Sequence, residues 1–153
     1  MFRRVLICAE TSIMRRRNPV RWRALEARLG RQKEIWMATV RNDGRPHLVP
    51  LWFIWLEEKI WISTGLETQK FANLRGNQSV SLALPDAMNV VIIEGEAHVA
   101  PRNVIDKLAD YFFNKYEWDF RYDESAKWQL IEITPLKILV WGDEHDSEGT
   151  RIL

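Results

Sequence analysis

A strand-like run, Ile35-Trp36-Met37-Ala38-Thr39-Val40, leads directly into the turn residues Asn42-Asp43-Gly44. The run is rich in β-branched and aromatic residues, which favour strands, and glycine readily takes the positive φ of tight hairpin turns. A second run, His47–Leu56, follows and contains Pro50, which has no N–H to give to a sheet and so indicates an edge or a bulge. The stretch predicts an antiparallel hairpin.

The rest of the chain continues as short strands separated by turn residues. Further strands are expected at Ile60–Thr64, Val80–Leu84, Val90–Val99, Trp128–Ile133 and Ile138–Trp141, with a break at Pro135 between the last two. Apolar spacing predicts three helices, at 21–29, at about 68–75 and at about 102–117. The expected fold is mainly β with flanking α. It is a six- to seven-stranded antiparallel split β-barrel with an N-terminal helix, a short helix after strand 3 and a longer helix before the last strands, because closure removes exposed strand edges.

Composition limits the class of protein. A chain of 153 residues fits one domain, and 46% hydrophobic with 28% charged residues is typical of a globular protein. The longest apolar run, Leu51–Leu56, is far shorter than a membrane span needs. One cysteine, Cys8, and three scattered histidines offer no disulfide and no zinc-site spacing. We therefore expect a metal-free protein that does not cross a membrane.

Charge divides the chain into a basic start and an acidic remainder. Residues 1–33 hold ten Arg or Lys against two acids, and residues 34–153 hold twelve against nineteen. We expect a basic arm and helix at 1–33, the barrel at 34–142 and an acidic tail at 143–153. The Arg15-Arg16-Arg17 run suits nucleic acid or anionic lipid, or equally the protein's own acidic body. Since that body is acidic, nucleic acid is not the expected partner.

The segment before Met14 shows no strand or helix pattern, so its removal is expected to leave the fold intact. Its apolar stretch Val5–Ala9 is too short for an export signal, which predicts a cytoplasmic protein.

Polar chemistry concentrates at Ser63-Thr64-Gly65 and Lys70. Two hydroxyls at a strand end, a glycine, the first N–H groups of a helix and a nearby ammonium together suit a phosphate. The alternative is a Thr68 cap with a solvated lysine. On the preceding strand, Pro50-Leu51-Trp52-Phe53 offers backbone groups and flat side chains to a ring system, or serves only as core.

In order, these segments resemble the pyridoxamine 5'-phosphate oxidase-like FMN-binding split-barrel superfamily over residues 34–142. The resemblance rests on Ala38-Thr39-Val40, Asp43-Gly44-Arg45-Pro46-His47, Val49-Pro50-Leu51-Trp52-Phe53, Trp61-Ile62-Ser63-Thr64, Lys70, Asn73-Leu74-Arg75, Val80-Ser81-Leu82, Ile93-Glu94-Gly95-Glu96-Ala97, Trp128, Ile133-Thr134-Pro135 and Trp141. It implies a homodimer with FMN, or a deazaflavin coenzyme, between the subunits. The phosphate would lie on Ser63, Thr64 and Lys70, and the ring against the backbone of Pro50, Leu51 and Trp52.

The departures from this pattern bear on activity. Authentic pyridoxamine phosphate oxidases carry cations where this chain has His47, Trp52 and Gln69, and an Arg-Leu-His-Asp-Arg-like tail is absent. Oxidation of pyridoxamine phosphate is therefore not expected. The sequence pattern more closely resembles the general branch of the superfamily, whose members reduce small molecules with a flavin or a deazaflavin. His47 or Tyr111 is the candidate proton donor. A non-enzymatic flavin or haem binder and a nucleic-acid-binding barrel are the alternatives.

Overall fold

The structure, a computed structural model, describes residues 6–8 and 19–142. The Arg15-Arg16-Arg17 run and the acidic tail lie outside the described residues. The described elements, in chain order, are β1 (Leu6–Cys8), α1 (Pro19–Arg31), β2 (Glu34–Val40), β3 (Pro46–Trp52), β4 (Ile54–Leu56), β5 (Lys59–Gly65), α2 (Gln69–Gly76), β6 (Ser79–Ala83), β7 (Val90–Val99), a 3-10 turn (Arg102–Val104), α3 (Ile105–Tyr116) and β8 (Trp128–Trp141).

The described strands form one antiparallel sheet in the order β3-β2-β6-β7-β8-β5-β4, and β1 pairs with β8 as well. The two end strands, β3 and β4, are consecutive in the chain and are separated by Phe53 alone. Because the two ends of the sheet are joined covalently at this residue, the sheet curls into a half-barrel. The predicted mainly β split barrel with three helices is confirmed, as is the edge position expected for Pro50.

Strand β8 is continuous, although Pro135 was expected to divide it into two strands. Pro135 lies opposite Gly95, and Lys137 lies opposite Glu94, so Leu136 is an extra residue that forms a bulge. A Cβ at Gly95 would lie 2.5 Å from the carbonyl oxygen of Thr134, which explains the glycine. A bulge tolerates a proline because it leaves one position without a ladder hydrogen bond.

Strand β1 corrects the expectation that nothing before Met14 has regular structure. Leu6, Ile7 and Cys8 pair with Leu139, Ile138 and Lys137 of β8. Three residues are too few to show a sequence period, and their partner lies more than 120 residues away along the chain. This part of the arm therefore belongs to the sheet.

Two apolar clusters lie on the two faces of the sheet. The larger fills the barrel and includes Trp22, Leu25 and Leu29 of α1, so this helix closes one side of the barrel core. The smaller lies between the sheet and α3. Strand β5 separates the clusters: Ile60 and Ile62 face the barrel core, whereas Trp61 faces α3, as the alternation of side chains along a strand requires.

Candidate functional site

The start of α2 carries the predicted phosphate-binding residues. Thr68 caps the helix, and its hydroxyl accepts a hydrogen bond from the N–H of Phe71 at 3.4 Å. The first N–H groups of an α-helix have no acceptor within the helix, so those of Gln69 and Lys70 stay available at this end. The cap expected from the sequence is present, and the helix N-terminus adds partial positive charge beside Lys70.

Lys70 is half-buried rather than solvated. Its ammonium makes no hydrogen bond or ion pair with the described residues. Burial lowers the pKa of Lys70 from its ordinary value, because the surroundings solvate the charge less well than water does. An anion at this position would restore the favourable electrostatic environment that the ammonium lacks.

The hydroxyls of Ser63 and Thr64 are not brought together. Ser63 lies on the α3 side of β5, with Trp61, whereas Thr64 shares the barrel side with Ile60 and Ile62. The Thr64 hydroxyl is buried and shares a hydrogen bond of 2.9 Å with that of Thr68. The Ser63 hydroxyl oxygen is buried without a hydrogen-bond partner, so of the two it is the one that remains unsatisfied.

Gly65 has a packing role that the sequence did not reveal. A Cβ at this position would lie 3.3 Å from the Cβ of Ala126, which is tighter than an ordinary contact. The glycine therefore allows the end of β5 to lie close to the segment that leads into β8, where the N–H of Leu66 donates to the carbonyl of Lys127 at 2.9 Å. The helix that carries Lys70 is fixed to the sheet at this point.

Gln69 is an exposed residue whose side chain joins a hydrogen-bond network that continues into the core. Its amide donates to the Asn73 side chain at 2.7 Å, and Asn73 donates to the Thr39 hydroxyl at 2.9 Å. Asn73 and Thr39 are almost fully buried, so this network joins α2 to β2. It holds the start of α2 in place and leaves Lys70 as the cationic side chain of that first turn.

The predicted ring-binding segment lies on the edge strand β3. Pro50 is exposed opposite Trp36, Leu51 packs against the barrel core, and Trp52 is 45% exposed. An edge strand leaves one row of backbone groups without strand partners, as backbone contact with a ring requires. One face of the Trp52 ring stacks on Tyr116 with the ring centroids 4.7 Å apart.

The junction between β3 and β4 contains two residues that the sequence analysis did not identify. The Tyr116 hydroxyl accepts from the Phe53 N–H at 2.9 Å, and its proton faces the carbonyl oxygens of Phe53 and Lys33. Lys115 donates to the Phe53 carbonyl at 3.0 Å and lies 4.4 Å from the centroid of its ring. These contacts join residues more than 60 positions apart, so no local pattern indicates them.

The two candidate proton donors lie at separate places. His47 is on β3, where its Nδ1 lies 3.4 Å from the Arg41 guanidinium, and Tyr111 is 41% exposed on α3. Within residues 19–142, no group of three His, Cys, Asp or Glu side chains is placed to hold a metal ion. None of the described helices is both long and apolar enough to span a bilayer.

The family model described as pyridoxamine 5'-phosphate oxidase matches residues 22–142. A match over most of the chain defines the class: the protein belongs to the pyridoxamine 5'-phosphate oxidase family. The matched range starts within α1 and ends just after β8, so it includes every described strand of the barrel except β1. No curated protein matches the chain in sequence.

Solved structures share the fold at low identity. An F420 reductase is 21% identical, with 74% of this chain and 94% of that chain covered and a TM-score of 0.62. The haem storage protein HutZ of Vibrio cholerae is 18% identical, with coverages of 78% and 95% and a TM-score of 0.61. A FAD-binding protein of Mesorhizobium loti is 15% identical, with coverages of 76% and 91% and a TM-score of 0.58. At these identities the likeness shows the fold alone.

The chemistry of two described side chains suits an anionic group such as a phosphate. Lys70 offers an unpaired, partly desolvated cation beside a helix N-terminus, and Ser63 offers a buried hydroxyl without a partner. Thr64 fits less directly, since its hydroxyl is engaged with Thr68. The exposed face of Trp52 and the free edge of β3 provide a flat surface and backbone groups for a ring.

Proposed function

We propose that the protein is an FMN-dependent oxidoreductase that transfers hydride to a small molecule, in the cytoplasm. The observation that carries this proposal is Lys70, a half-buried cation without a partner among the described residues at the start of α2. A protein keeps such a desolvated charge at a cost in stability, and a bound phosphate offsets this cost through charge-assisted hydrogen bonds. The family match and the fold shared with an F420 reductase and a FAD-binding protein support this proposal.

When bound, FMN supplies a ring that accepts and donates hydride, and the protein binds, orients and shields it. Lys70 balances the phosphate charge, and the N–H groups at the start of α2 donate to phosphate oxygens. Ser63 adds a hydroxyl on the α3 side of β5. The backbone of Pro50, Leu51 and Trp52 would hold the ring. Trp52, which is stacked on Tyr116, would shield it from water.

A deazaflavin coenzyme is the second candidate, because the chain shares its fold with an F420 reductase and because a deazaflavin presents a similar ring and phosphate. A non-enzymatic flavin or haem binder is the third, since the haem storage protein HutZ has the same fold. Oxidation of pyridoxamine phosphate is not proposed, since Gln69 is committed to Asn73 and Trp52 is stacked on Tyr116 where authentic oxidases carry cations.

The deciding experiment is to denature the purified protein and weigh the released small molecule by mass spectrometry. Release of FMN supports the leading proposal, and release of a deazaflavin or haem replaces it with the corresponding alternative. If the protein as purified releases nothing, added FMN is titrated by fluorescence quenching. A lack of saturable binding there would reject the flavin proposal.

The proposal includes a homodimer with the cofactor at its interface. The outer face of β2 and β3 exposes Trp36, Leu48 and Trp52, which are 38%, 60% and 45% accessible. Trp36 pairs with Pro50, which lies between Leu48 and Trp52 on the same face of β3, so the three side chains are neighbours on one surface, bordered by the exposed Glu34 opposite Trp52. Exposed apolar surfaces of this kind usually mark protein interfaces, and a second copy of this chain would cover it.

Light scattering of the parent protein and of Leu48→Lys tests the dimer. We expect a dimeric parent and a monomeric Leu48→Lys, because a charge at this position would be buried between subunits. Met88→Lys is the matched control, since Met88 is equally exposed at 62% but lies in the loop before β7. A monomeric parent, or a dimeric Leu48→Lys, would contradict this interface.

A further inference from the structure

A cavity of about 260 Å³ opens between α2 and β7 at one end of the barrel. Its floor consists of Leu74, Ala97 and Ile131, which are buried members of the barrel core. Small-molecule sites often occupy the mouths of β-barrels and combine an apolar surface with a few polar groups. The apolar part of such a site is therefore present here.

The rim of the cavity supplies polar groups. Arg75 lies in the last turn of α2, is exposed, and makes no hydrogen bond or ion pair with the described residues. Gln78 and His98 complete the rim. The carboxylate of Glu96 lies 3.7 Å from the His98 ring, and no ion pair joins it to Arg75. The Arg75 guanidinium thus stands at an apolar cavity with its donors available.

A larger cavity beside β8, of about 510 Å³, differs in how its charges are paired. Arg121 on its wall already binds the carboxylates of Asp119 and Asp106, and Asp123 accepts from Trp118 and Ser125. These charges are satisfied by the protein itself, whereas Arg102 on the same lining is exposed and makes no hydrogen bond or ion pair with the described residues. The larger cavity thus presents its available cation together with the carboxylate of Asp123, whereas the smaller cavity is lined by Arg75 and by no carboxylate, and so it specifies an anionic ligand more clearly.

We propose that the smaller cavity binds a small apolar carboxylate. Guanidinium groups bind carboxylates through two parallel N–H donors, so the carboxylate lies on Arg75. The hydrocarbon body lies over Leu74, Ala97 and Ile131. Because the volume is below the roughly 300–1,000 Å³ of sites for drug-sized ligands, the ligand has one ring or a short chain.

This site is distinct from the proposed phosphate site. Lys70 lies in the first turn of α2 and Arg75 in its last turn, about 7.5 Å apart along the helix axis. Five residues also correspond to a rotation of about 140° around the helix, so the two side chains leave it on different sides. The two sites can therefore be tested with reciprocal variants.

The test is a titration of the purified protein with sodium benzoate, followed by saturation-transfer NMR. We expect saturable binding to the parent, at least tenfold weaker binding to Arg75→Gln, and parent-like binding to Arg23→Gln, an exposed α1 arginine. Val99→Phe tests the cavity itself, because Val99 lines it and is 57% exposed, so the larger ring can enter the cavity without disturbing the core. This variant should lose benzoate binding.

Two additional measurements test the charge preference of the cavity and its independence from the phosphate site. Benzylamine has a similar body with the opposite charge and should not compete with benzoate. Lys70→Ala should bind benzoate as the parent does while losing flavin affinity, so that failure of one site is distinguished from failure of the other. The proposal is overturned if benzoate shows no saturable binding, if Arg75→Gln or Val99→Phe binds it as well as the parent, or if benzylamine competes equally.

Discussion

The start of α2 and the junction between β3 and β4 differ in how completely their polar groups are satisfied. At the junction, both backbone groups of Phe53 are hydrogen-bonded, and Tyr116 and Lys115 both have partners. At the start of α2, Lys70 is half-buried without a partner among the described residues, and on the preceding strand, β5, the Ser63 hydroxyl is buried without one. A satisfied region stabilises the fold by itself, whereas an unsatisfied one keeps binding capacity for a ligand.

The largest loss of stability on substitution is expected from Tyr116→Phe, which removes hydrogen bonds at the junction between β3 and β4. The ring and its stack on Trp52 stay, but the buried N–H and carbonyl of Phe53 lose their hydroxyl partner. An unsatisfied buried group costs about 1–3 kcal/mol, so the free energy of unfolding should fall by that amount. Urea unfolding measures it. Tyr111→Phe, on the same helix but exposed, is the control and should change little.

Substitution of Lys70 at the start of α2 should weaken flavin binding without destabilising the fold. Lys70→Ala should weaken flavin affinity about ten- to a hundredfold, because a hydrogen bond to a charged group contributes about 1.5–3 kcal/mol. The melting temperature of the flavin-free protein should not fall, since the lysine has no described partner to lose and its removal relieves the cost of a partly buried charge. Quenching of flavin fluorescence gives the dissociation constants of the parent and of Lys70→Ala.

Arg75→Gln is the matched control for Lys70→Ala, since Arg75 lies at the other end of the same helix. Its flavin affinity should stay near that of the parent. Equal flavin affinities for Lys70→Ala and the parent would show that the flavin phosphate does not bind beside Lys70.

Deletion of residues 1–13 removes β1 and tests whether the sheet needs it. The described part of this segment, Leu6–Cys8, contributes three residues that pair with β8, so we expect a loss of about 1 kcal/mol in unfolding free energy. Cofactor binding should persist, because the proposed site residues lie on β3, β5 and α2. Loss of folded protein on truncation would show that β1 is essential.

The final expected effect is a pH dependence at Lys115. Burial lowers the pKa of this lysine to about 8, against about 10.4 in an unfolded chain. Between these values the unfolded state holds more protons than the native state, so stability rises with pH from about 8 to about 10. Relative to Lys115→Met, the parent should gain stability over that range. Unfolding curves near pH 7 and pH 10 measure the gain, and a constant difference would contradict it.

Local sequence patterns predicted much of the fold. The bounds of β7, Val90–Val99, are those expected, because its apolar run is bounded by clear turn residues. The hairpin turn forms with Gly44 at a φ of 85°. The continuity of β8 was not predictable, since it depends on Gly95 lying opposite Pro135, and that pairing is set by the register of distant strands.

The residues of the candidate site also fall into two groups, those that local sequence patterns predict and those that depend on contacts between distant parts of the chain. The Thr68 cap and the place of Lys70 follow from a local helix signal, and the structure agrees with both. Alternation along β5 already implies that Ser63 and Thr64 face opposite sides, although composition alone groups them together. The roles of Tyr116 and Lys115 depend on contacts with Phe53 across more than 60 residues. A sequence shows no such contacts without knowledge of the topology.

The position of β8 in the sheet has a consequence for how the molecule is made. This strand lies between β7 and β5 and holds the two parts of the sheet together, yet it follows every other described strand in the chain. During synthesis, β5 and β7 are complete before their common neighbour leaves the ribosome, and until then each has an open edge. The barrel therefore closes only after translation of residues 128–141, and its nascent form is the stage at which edge-to-edge misassembly is most favoured.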